Sequence, residues 1–389
     1  MTLDAIRAAQ RRLHGVAEPT PLSLSRTFSQ ATGARVWLKC ENLQRTGSFK
    51  IRGAYNRLAL LKPAERRRGV IAASAGNHAQ GVALAAQLLG IPATVFMPES
   101  TPLAKVAATQ GYGATVHLEG RSYEEAHAAA LREESLHGAT LIHPFDDEAV
   151  IAGQGTIGCE ILDRLPEVEV IVVPLGGGGL LAGIATAAKA LRPAVQVLGV
   201  RSAAAMAGYG TIADGINVHD QGQLTAPLID QLVDEVAAVE EEDISHAVVM
   251  LLERSKLVVE GAGAAGLGAV LAGRLPLAGK QVAVVLSGGN IDVNLMARII
   301  EHGLATSGRY LIFETWLEDK PGELLKVLRV LLDERVNILN VEHRRPASFP
   351  EVEVMLTVET RDFAHGEHLL SQLRERGYRA NRLAVGNRS

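Results

Sequence analysis

The sequence predicts an α/β protein with parallel sheets covered by helices, followed by a small α+β unit. From about residue 34 onward, short β-branched runs alternate with alanine-rich stretches of helical period. Several of these runs end in short segments rich in glycine and serine. After about residue 306 the pattern changes to half-exposed strands around two amphipathic helices. Repeated strand–helix units favour parallel sheets, whose active sites lie at the carboxyl ends of the strands.

The main part of the chain contains seven predicted strands, because β-branched runs favour extended structure. They lie at Arg35–Cys40, Val70–Ala73, Thr94–Met97, Thr115–Leu118, Val168–Val173, Val195–Val200 and Gln281–Leu286. Helices are predicted at Ile51–Leu61, Ala79–Leu89, Leu103–Gln110, Tyr123–His137 and Leu180–Leu191. Since 389 residues exceed one ordinary core, we expect a catalytic part over residues 1–306, with a smaller subdomain near residues 47–145.

The tail of the chain, residues 309–389, is predicted to form a separate small domain. Thr306-Ser307-Gly308 is a small polar break that fits a linker. Strands are predicted at Tyr310–Leu317, Asn337–Arg344, Glu351–Thr360 and Arg379–Val385, and helices at Glu323–Asp333 and His365–Arg376. The resulting βαββαβ order carries no obvious catalytic cluster.

Composition and charge exclude several classes of protein. A formal net charge of −4 offers no electrostatic reason to bind nucleic acid. The two cysteines, Cys40 and Cys159, lack the Cys-x-x-Cys spacing of metal sites, which favours the reducing cytoplasm and predicts no metal. The apolar stretch from Val170 to Leu191 is interrupted by Pro174 and four glycines. It therefore predicts a strand, a turn and a helix rather than a membrane span.

The first candidate motif is Thr46-Gly47-Ser48-Phe49-Lys50, at the start of a predicted helix. A lysine at that place lies in the positive end of the helix dipole, which disfavours its protonated form. A neutral amine can attack an aldehyde and form a Schiff base, so Lys50 is a candidate nucleophile. A solvated surface lysine and a serine–lysine hydrolase pair of Ser48 and Lys50 remain as alternatives.

The second candidate motif, Ser74-Ala75-Gly76-Asn77-His78, directly follows a predicted strand. Small residues let backbone amides approach a ligand carboxylate, and a following helix N-terminus favours an anion. Asn77 can donate a hydrogen bond to a phenolate oxygen. An ordinary asparagine-based helix start is the alternative.

Two glycine-rich motifs follow later strands. Gly176-Gly177-Gly178-Gly179 joins a strand to a helix, where backbone amides can form a nest for phosphate. Ser287-Gly288-Gly289-Asn290 also follows a strand, and a simple turn is its alternative. Gly261 to Gly266 matches a dinucleotide fingerprint, but no acidic residue ends the next strand to bind a ribose. Close helix packing explains those glycines better.

These motifs together resemble the threonine dehydratases of the tryptophan-synthase-β-like fold, the fold type II of enzymes that use pyridoxal phosphate. The resemblance covers roughly residues 15–305, and the segments that carry it are Lys39–Ala54, Ser74–Ala83, Pro174–Gly183, Ala213–Val218 and Ser287–Asn290. It implies that Lys50 is the catalytic, Schiff-base residue. It implies cofactor contacts at Phe49, Lys50, Asn77, Gly176, Gly177, Gly178, Gly179, Leu180 and Ser287. It places the substrate beside Ser74, Ala75, Gly76, Asn77 and His78.

In that family the asparagine binds the phenolic oxygen of the cofactor, the glycines hold its phosphate, and the serine faces its ring nitrogen. A serine hydroxyl cannot keep that nitrogen protonated as an aspartate would, which favours prompt β-elimination over a long-lived carbanion. The resemblance implies that L-threonine is converted to 2-oxobutanoate and ammonia, as a first step of isoleucine synthesis.

The tail resembles an ACT-type regulatory domain, because Asp319-Lys320-Pro321-Gly322-Glu323-Leu324 matches its first turn. Such domains pair and bind an amino acid near this glycine. The resemblance implies isoleucine as the effector and a homodimer or homotetramer as the assembly.

Two departures from related enzymes bear on function. Ala75 stands where serine racemases carry a second serine, which disfavours racemisation. Arg201 and the short bridge Ser202–Gly210 replace a longer loop with an acidic residue, which puts a cation site there in doubt. A catabolic serine/threonine dehydratase without isoleucine control remains an alternative, since one methyl group separates the two substrates by only about 1–3 kcal/mol. Outside this class, a nicotinamide-dependent dehydrogenase and a non-catalytic amino-acid sensor remain.

Overall fold

A computed structural model describes residues 1–218, 220–344 and 351–383 of the protein. The chain forms two compact units, Met1–Val293 and Asn294–Ser389. This division falls just after the first residue of helix Val293–Thr306, whereas the predicted domain boundary follows that helix, near residues 306–309. The domain assignment itself stays a prediction.

The first unit is built from alternating strands and helices. Its strands are β1 (Leu22–Leu24), β2 (Arg35–Cys40), β3 (Val70–Ala73), β4 (Ala93–Met97), β5 (Thr115–Leu118), β6 (Thr140–Leu141), β7 (Val170–Pro174), β8 (Gln196–Ser202), β9 (Glu235–Val239) and β10 (Gln281–Leu286). Its helices are α1 (Leu3–Leu13), α2 (Arg26–Thr32), α3 (Lys50–Ala59), α4 (Pro63–Arg68), α5 (Asn77–Leu89), α6 (Leu103–Gly111), α7 (Tyr123–His137), α8 (Glu148–Arg164), α9 (Gly179–Leu191), α10 (Ala203–Met206), α11 (Thr225–Leu232), α12 (Glu241–Met250) and α13 (Gly261–Leu271).

Two sheets organise this unit in the described part of the chain. The larger has six strands in the order β1-β2-β10-β7-β8-β9, all parallel except β1. The smaller has four parallel strands in the order β5-β4-β3-β6. The chain enters the larger sheet, crosses to the smaller one and returns, so the predicted α/β class with parallel sheets is confirmed. Every residue of β7 is buried, as expected for a parallel strand covered on both faces.

A buried ion cluster anchors the helix that begins at Lys50. Arg52 forms hydrogen bonds of 2.8 and 2.9 Å with the two carboxylate oxygens of Glu41, and it also pairs with Glu160. Lys39 Nζ lies 2.5 Å from Glu160 Oε2. Burial alone would raise the pKa of Glu41, but Arg52 and Lys39 beside it hold that pKa below its usual value. Two cations and two carboxylates therefore balance, with Lys39, Glu41 and Arg52 buried and Glu160 partly exposed.

Close helix packing depends on glycines at two places. A Cβ atom on Gly155 of α8 would lie 2.8 Å from the carbonyl oxygen of Gly183 on α9, so neither helix tolerates a side chain there. In α13, a Cβ on Gly263 would overlap the carbonyl of Gly288. The glycines of α13 therefore serve close packing, as the sequence indicated.

The second unit is a sheet with helices. Helix α14 (Val293–Thr306) leads into β11 (Tyr310–Glu318), α15 (Glu323–Asp333), β12 (Asn337–Arg344), β13 (Glu351–Glu359), α16 (Phe363–Glu375) and β14 (Ala380–Arg382). The described strands pair antiparallel in the order β12-β13-β11-β14. This reproduces the predicted βαββαβ order, and the last two residues of predicted strand Arg379–Val385 lie outside the described residues. Among the described residues, no helix combines the length and apolar character needed to cross a membrane.

Candidate active site

Lys50 is the first residue of α3, and its side chain is half-buried. A turn with positive φ at Thr46 (59°) and Gly47 (70°) precedes it. The Lys50 amine donates a hydrogen bond of 2.9 Å to the carbonyl oxygen of Pro144 and lies 5.2 Å from the centroid of the Phe49 ring. The amine is therefore held by one neutral acceptor.

The surroundings of Lys50 favour its neutral form. Burial lowers the pKa of the Lys50 amine to about 8, although the negative charge of Glu260 opposes this shift. A far larger fraction of the amine is therefore unprotonated near neutral pH than in an exposed lysine, as a nucleophile for aldehydes requires. The sequence suggested the helix dipole as the cause, whereas burial is the main one.

The segment Ser74 to His78 follows β3, and the first four of its residues are half-exposed. The Gly76 amide donates to Ser74 Oγ at 3.2 Å, which shapes the turn, and Asn77 begins α5. His78 differs, since it is buried and its Nε2 lies 2.8 Å from the carbonyl oxygen of Ile142. Burial, and then the charge of Lys50, lower the pKa of His78 to about 3, so this imidazole is neutral.

The tetraglycine loop, Gly176 to Gly179, is buried between β7 and α9. A Cβ on Gly177 would overlap the Phe145 ring, and one on Gly178 would lie 2.8 Å from Thr225 Oγ1. Gly178 also has φ +96°, a backbone region that favours glycine. Leu180, the next residue, is buried as well. With no side chains present, the loop offers only backbone groups to a ligand, at the positive N-terminus of α9.

The segment Ser287 to Asn290 meets the other motifs at the carboxyl end of β10. The Phe49 amide donates to the carbonyl oxygen of Ser287 at 3.1 Å, and Gly289 donates to the Gly47 carbonyl at 2.9 Å. Ser287 is itself buried. The structure therefore brings the lysine motif and the serine motif into direct contact.

The segment from His143 to Asp147 links Lys50 to the glycine loop and was not predicted to belong to the site. Pro144 accepts from the Lys50 amine, and the Phe145 ring packs against Gly177. The carboxylate of Asp146 accepts from three backbone amides, those of Gln223 (2.9 Å), Leu224 (2.8 Å) and Thr225 (3.2 Å). The one feature of this segment that the sequence shows is its position between a short strand and a helix capped by an aspartate.

Asp146 also holds Thr225, a residue that contacts the glycine loop. Thr225, held by Asp146, donates through its hydroxyl to the carbonyl oxygen of Gly177 at 2.7 Å. Because Asp146 already occupies the amides at the start of α11, the free helix N-terminus at this place is that of α9.

His143 has a defined protonation state in this arrangement. Its Nδ1 accepts from the backbone amides of Asp146 (2.7 Å) and Phe145 (3.3 Å), so the ring proton resides on Nε2. Burial lowers the pKa of His143, although Asp146 opposes the shift. His143 is thus a neutral imidazole.

Glu260 is the second functional candidate that sequence reasoning missed. It is only 5% exposed and lies directly before α13. Its Oε1 accepts a hydrogen bond of 2.6 Å from Asn77 Nδ2, and a Cβ on Gly288 would overlap its carboxylate. Burial, and then the charge of Asp214, raise the pKa of Glu260 to about 7. Its position before a glycine-rich helix gave no signal beyond an ordinary helix start.

The shortened region after β8 is held by hydrogen bonds. Arg201 donates to the carbonyl oxygen of Val218 at 3.1 Å. The carboxylate of Glu241 accepts from Thr211 Oγ1 (2.5 Å) and from the Ile212 amide (2.7 Å). Within residues 1–218, 220–344 and 351–383, no group of three or more acidic, histidine or cysteine side chains is placed to hold a metal ion.

Comparison with known proteins identifies related chains. A family model described as "Pyridoxal-phosphate dependent enzyme" matches residues 14–288. L-threonine ammonia-lyase of Thermotoga maritima is 49% identical, over 97% of this chain and 98% of that protein. The catabolic L-threonine dehydratase TdcB of Staphylococcus aureus strain N315 is 45% identical, over 78% of this chain and 93% of that protein. The solved structure of maize serine racemase matches with a TM-score of 0.73 and 36% identity, over 78% of this chain and 98% of the racemase.

Proposed function

Because the chain belongs to the family of pyridoxal-phosphate dependent enzymes, we propose that it is a threonine ammonia-lyase, which converts L-threonine to 2-oxobutanoate and ammonia. The similarity to a threonine ammonia-lyase over nearly the whole of both chains supports this substrate. The observation that carries the chemistry is the half-buried Lys50 amine, held by a carbonyl at the edge of a side-chain-free glycine loop.

The site fits pyridoxal phosphate on three counts. Lys50 provides an amine whose pKa is lowered to about 8, as attack on an aldehyde requires. Gly176 to Gly179 provide backbone amides at a helix N-terminus, where a phosphate is favoured. Asn77 Oδ1 is buried and has no hydrogen-bond partner among the described residues, so a polar group of a ligand is expected beside this amide.

Each residue then has a role in the reaction. When bound, pyridoxal phosphate supplies the electron sink that makes the α-proton of an amino acid acidic. Lys50 is the residue that would hold the cofactor through its aldehyde, and its Nζ, when free and neutral, would accept the α-proton of the substrate. The carbonyl of Pro144 directs that amine. Ser287, which is buried, would face the ring nitrogen, and its hydroxyl would not keep that nitrogen protonated as an aspartate would, which would favour prompt loss of the β-hydroxyl group.

The substrate is proposed to lie against the half-exposed residues Ser74 to Asn77, whose backbone amides receive its carboxylate. His78 supports this segment from behind through its contact with Ile142. Racemisation is a second candidate activity because of the likeness to serine racemase. Ala75 argues against it, since its methyl group cannot donate a proton to the opposite face of the substrate.

We further propose that the tail is an ACT-type domain that senses isoleucine, in an enzyme of isoleucine synthesis. The βαββαβ order supports this, as does Gly322 with φ +93° at the start of α15. The two buried free cysteines fit the cytoplasm, and a homodimer or homotetramer is the proposed assembly. The competing proposal is a catabolic enzyme indifferent to isoleucine, in line with the likeness to TdcB.

One assay separates these proposals. Release of 2-oxo acid is measured from L-threonine and L-serine, each with and without isoleucine. The biosynthetic proposal predicts threonine turnover that isoleucine suppresses, and loss of that suppression in a chain ending at Ser307. Turnover of both substrates without any isoleucine response would favour the catabolic enzyme. Continued inhibition of the shortened chain would place the effector site outside the tail.

A further inference from the structure

Glu260 has an environment that is unusual for a carboxyl group. It is 5% exposed and stands at the start of α13, yet its side chain caps no amide of that helix. Instead it turns to Asn77, at 2.6 Å. The carbonyl of Gly288 accepts from the Glu260 amide at 3.0 Å, which fixes the backbone beside the serine motif. The carboxyl group of Glu260 is therefore directed at Asn77 and not at the backbone of its own helix.

The hydrogen bonds of Asn77 are incomplete when Glu260 is ionised. A carboxylate can only accept, so it binds Asn77 Nδ2 and leaves Oδ1 facing elsewhere. Asn77 Oδ1 is buried and has no partner among the described residues. An unpaired buried oxygen costs about 1–3 kcal/mol. A half-turn of the amide exchanges Nδ2 and Oδ1 without moving other atoms, and a proton on Glu260 would then satisfy the oxygen.

We infer that Glu260 is a positioning residue that acts as a neutral acid: it donates a hydrogen bond to Asn77 Oδ1 and so turns Asn77 Nδ2 toward the phenolic oxygen of the cofactor. This inference rests on the proposed function, which assigns that oxygen to Asn77. A neutral carboxylic acid that donates a hydrogen bond at neutral pH requires a buried, poorly solvated site. The burial of Glu260 meets this requirement.

The charges around Glu260 set the pH at which the proton is lost. The negative charge of Asp214 favours the protonated form of Glu260, whereas Lys105 and Lys50 favour the ionised form. Lys105 and Asp214 also pair with each other at 3.4 Å. Together with burial, these charges raise the pKa of Glu260 to about 7. The neutral acid is therefore the main form below pH 7.

Infrared difference spectroscopy of the full-length holoenzyme tests the protonation directly. The spectrum of wild type minus Glu260→Gln should show a protonated carboxyl band at pH 6 that is lost at higher pH with a single midpoint. Asp214→Asn should move the midpoint to lower pH, and Asp230→Asn, an exposed control on α11, should leave it unchanged. Carboxylate bands already present at pH 6 would overturn the inference.

Cofactor binding tests the positioning role. Glutamine can still donate to Asn77 Oδ1, so Glu260→Gln should keep the affinity for pyridoxal phosphate and the absorbance of wild type at pH 6. Glu260→Ala should bind the cofactor about tenfold more weakly. If Glu260→Ala fails to fold, Glu260→Gln alone tests the inference. An absorbance spectrum of Glu260→Gln that equals that of wild type at pH 6 and differs from it at pH 8.5 supports the inference. A difference of equal size at both pH values would overturn it.

These readouts need no turnover of an amino acid. An enzyme inactive toward L-threonine would refute the proposed reaction while leaving the infrared and binding results interpretable. Conversely, normal threonine turnover with an ionised Glu260 at pH 6 would refute only the positioning role.

Discussion

Replacing Gly177 by alanine should damage cofactor binding through a specific steric conflict. A Cβ at this position would overlap the Phe145 ring, and the loop is closed on its other side by the Thr225 hydroxyl, 2.7 Å from the Gly177 carbonyl. Relief requires movement either of the loop amides or of Phe145. Movement of Phe145 would in turn displace Pro144, which holds the Lys50 amine.

The expected size follows from the cost of overpacking, about 1–3 kcal/mol for one extra methyl group in a closed site. If that cost falls on the cofactor-bound state, the dissociation constant for pyridoxal phosphate rises by about 5- to 150-fold. It is measured by titrating cofactor-free protein with pyridoxal phosphate and following absorbance. Gly111→Ala is the matched control, because a Cβ on Gly111 meets nothing within 4 Å.

A double variant identifies the cause. Phe145→Ala removes the ring that the new methyl group meets, so the effects of Gly177→Ala and Phe145→Ala should be less than additive. Unchanged affinity in Gly177→Ala would refute the reasoning that this loop cradles the phosphate. Strictly additive losses would show that the Phe145 ring is not the obstacle.

Three further predictions concern charge. The rate at which cofactor-free protein captures pyridoxal phosphate should rise with pH with a midpoint of about 8, because only the neutral Lys50 amine attacks the aldehyde. A midpoint near 10.4, the usual pKa of an exposed lysine, would contradict this prediction. Arg52→Met should lower the free energy of unfolding, measured in denaturant, by about 3–5 kcal/mol, because it leaves the buried carboxylate of Glu41 without its main partner. The control Arg67→Met, at an exposed position, should change that free energy by less than about 0.5 kcal/mol. Equal effects of the two substitutions would show that the ion cluster does not stabilise the fold. Asp146→Asn replaces one of the two accepting oxygens with an amide donor, which would then oppose at least one of the three backbone amides. It should weaken cofactor binding about tenfold, unlike exposed Asp230→Asn, and unchanged affinity would remove Asp146 from the support of the loop.

The regular elements were largely predictable because their local signals agree with their packing. Strands Arg35–Cys40, Val70–Ala73 and Gln281–Leu286 have the predicted bounds, and their β-branched residues, which favour extended structure, are all buried. Helix Glu148–Arg164 was not predicted. Its three glycines lower helix propensity, and the close approach of Gly155 to Gly183 outweighs that cost only in the folded unit.

The candidate site was predictable where the motif itself contains the reacting groups. Lys50 and the glycine loop lie at the starts of helices, where the sequence predicted them. Glu260 and Asp146 were not predictable, because their roles depend on burial and on partners more than 70 positions away along the chain. Sequence spacing reports neither quantity.

Reduction of the resting holoenzyme with borohydride tests the central claim most directly. Borohydride converts the carbon–nitrogen double bond between a lysine and the cofactor aldehyde into a stable single bond, and peptide mass mapping then locates it. The account predicts that the modification lies on Lys50, and that Lys50→Ala keeps the fold but loses both the modification and 2-oxobutanoate release. Modification of another lysine, or full threonine turnover by Lys50→Ala, would contradict it.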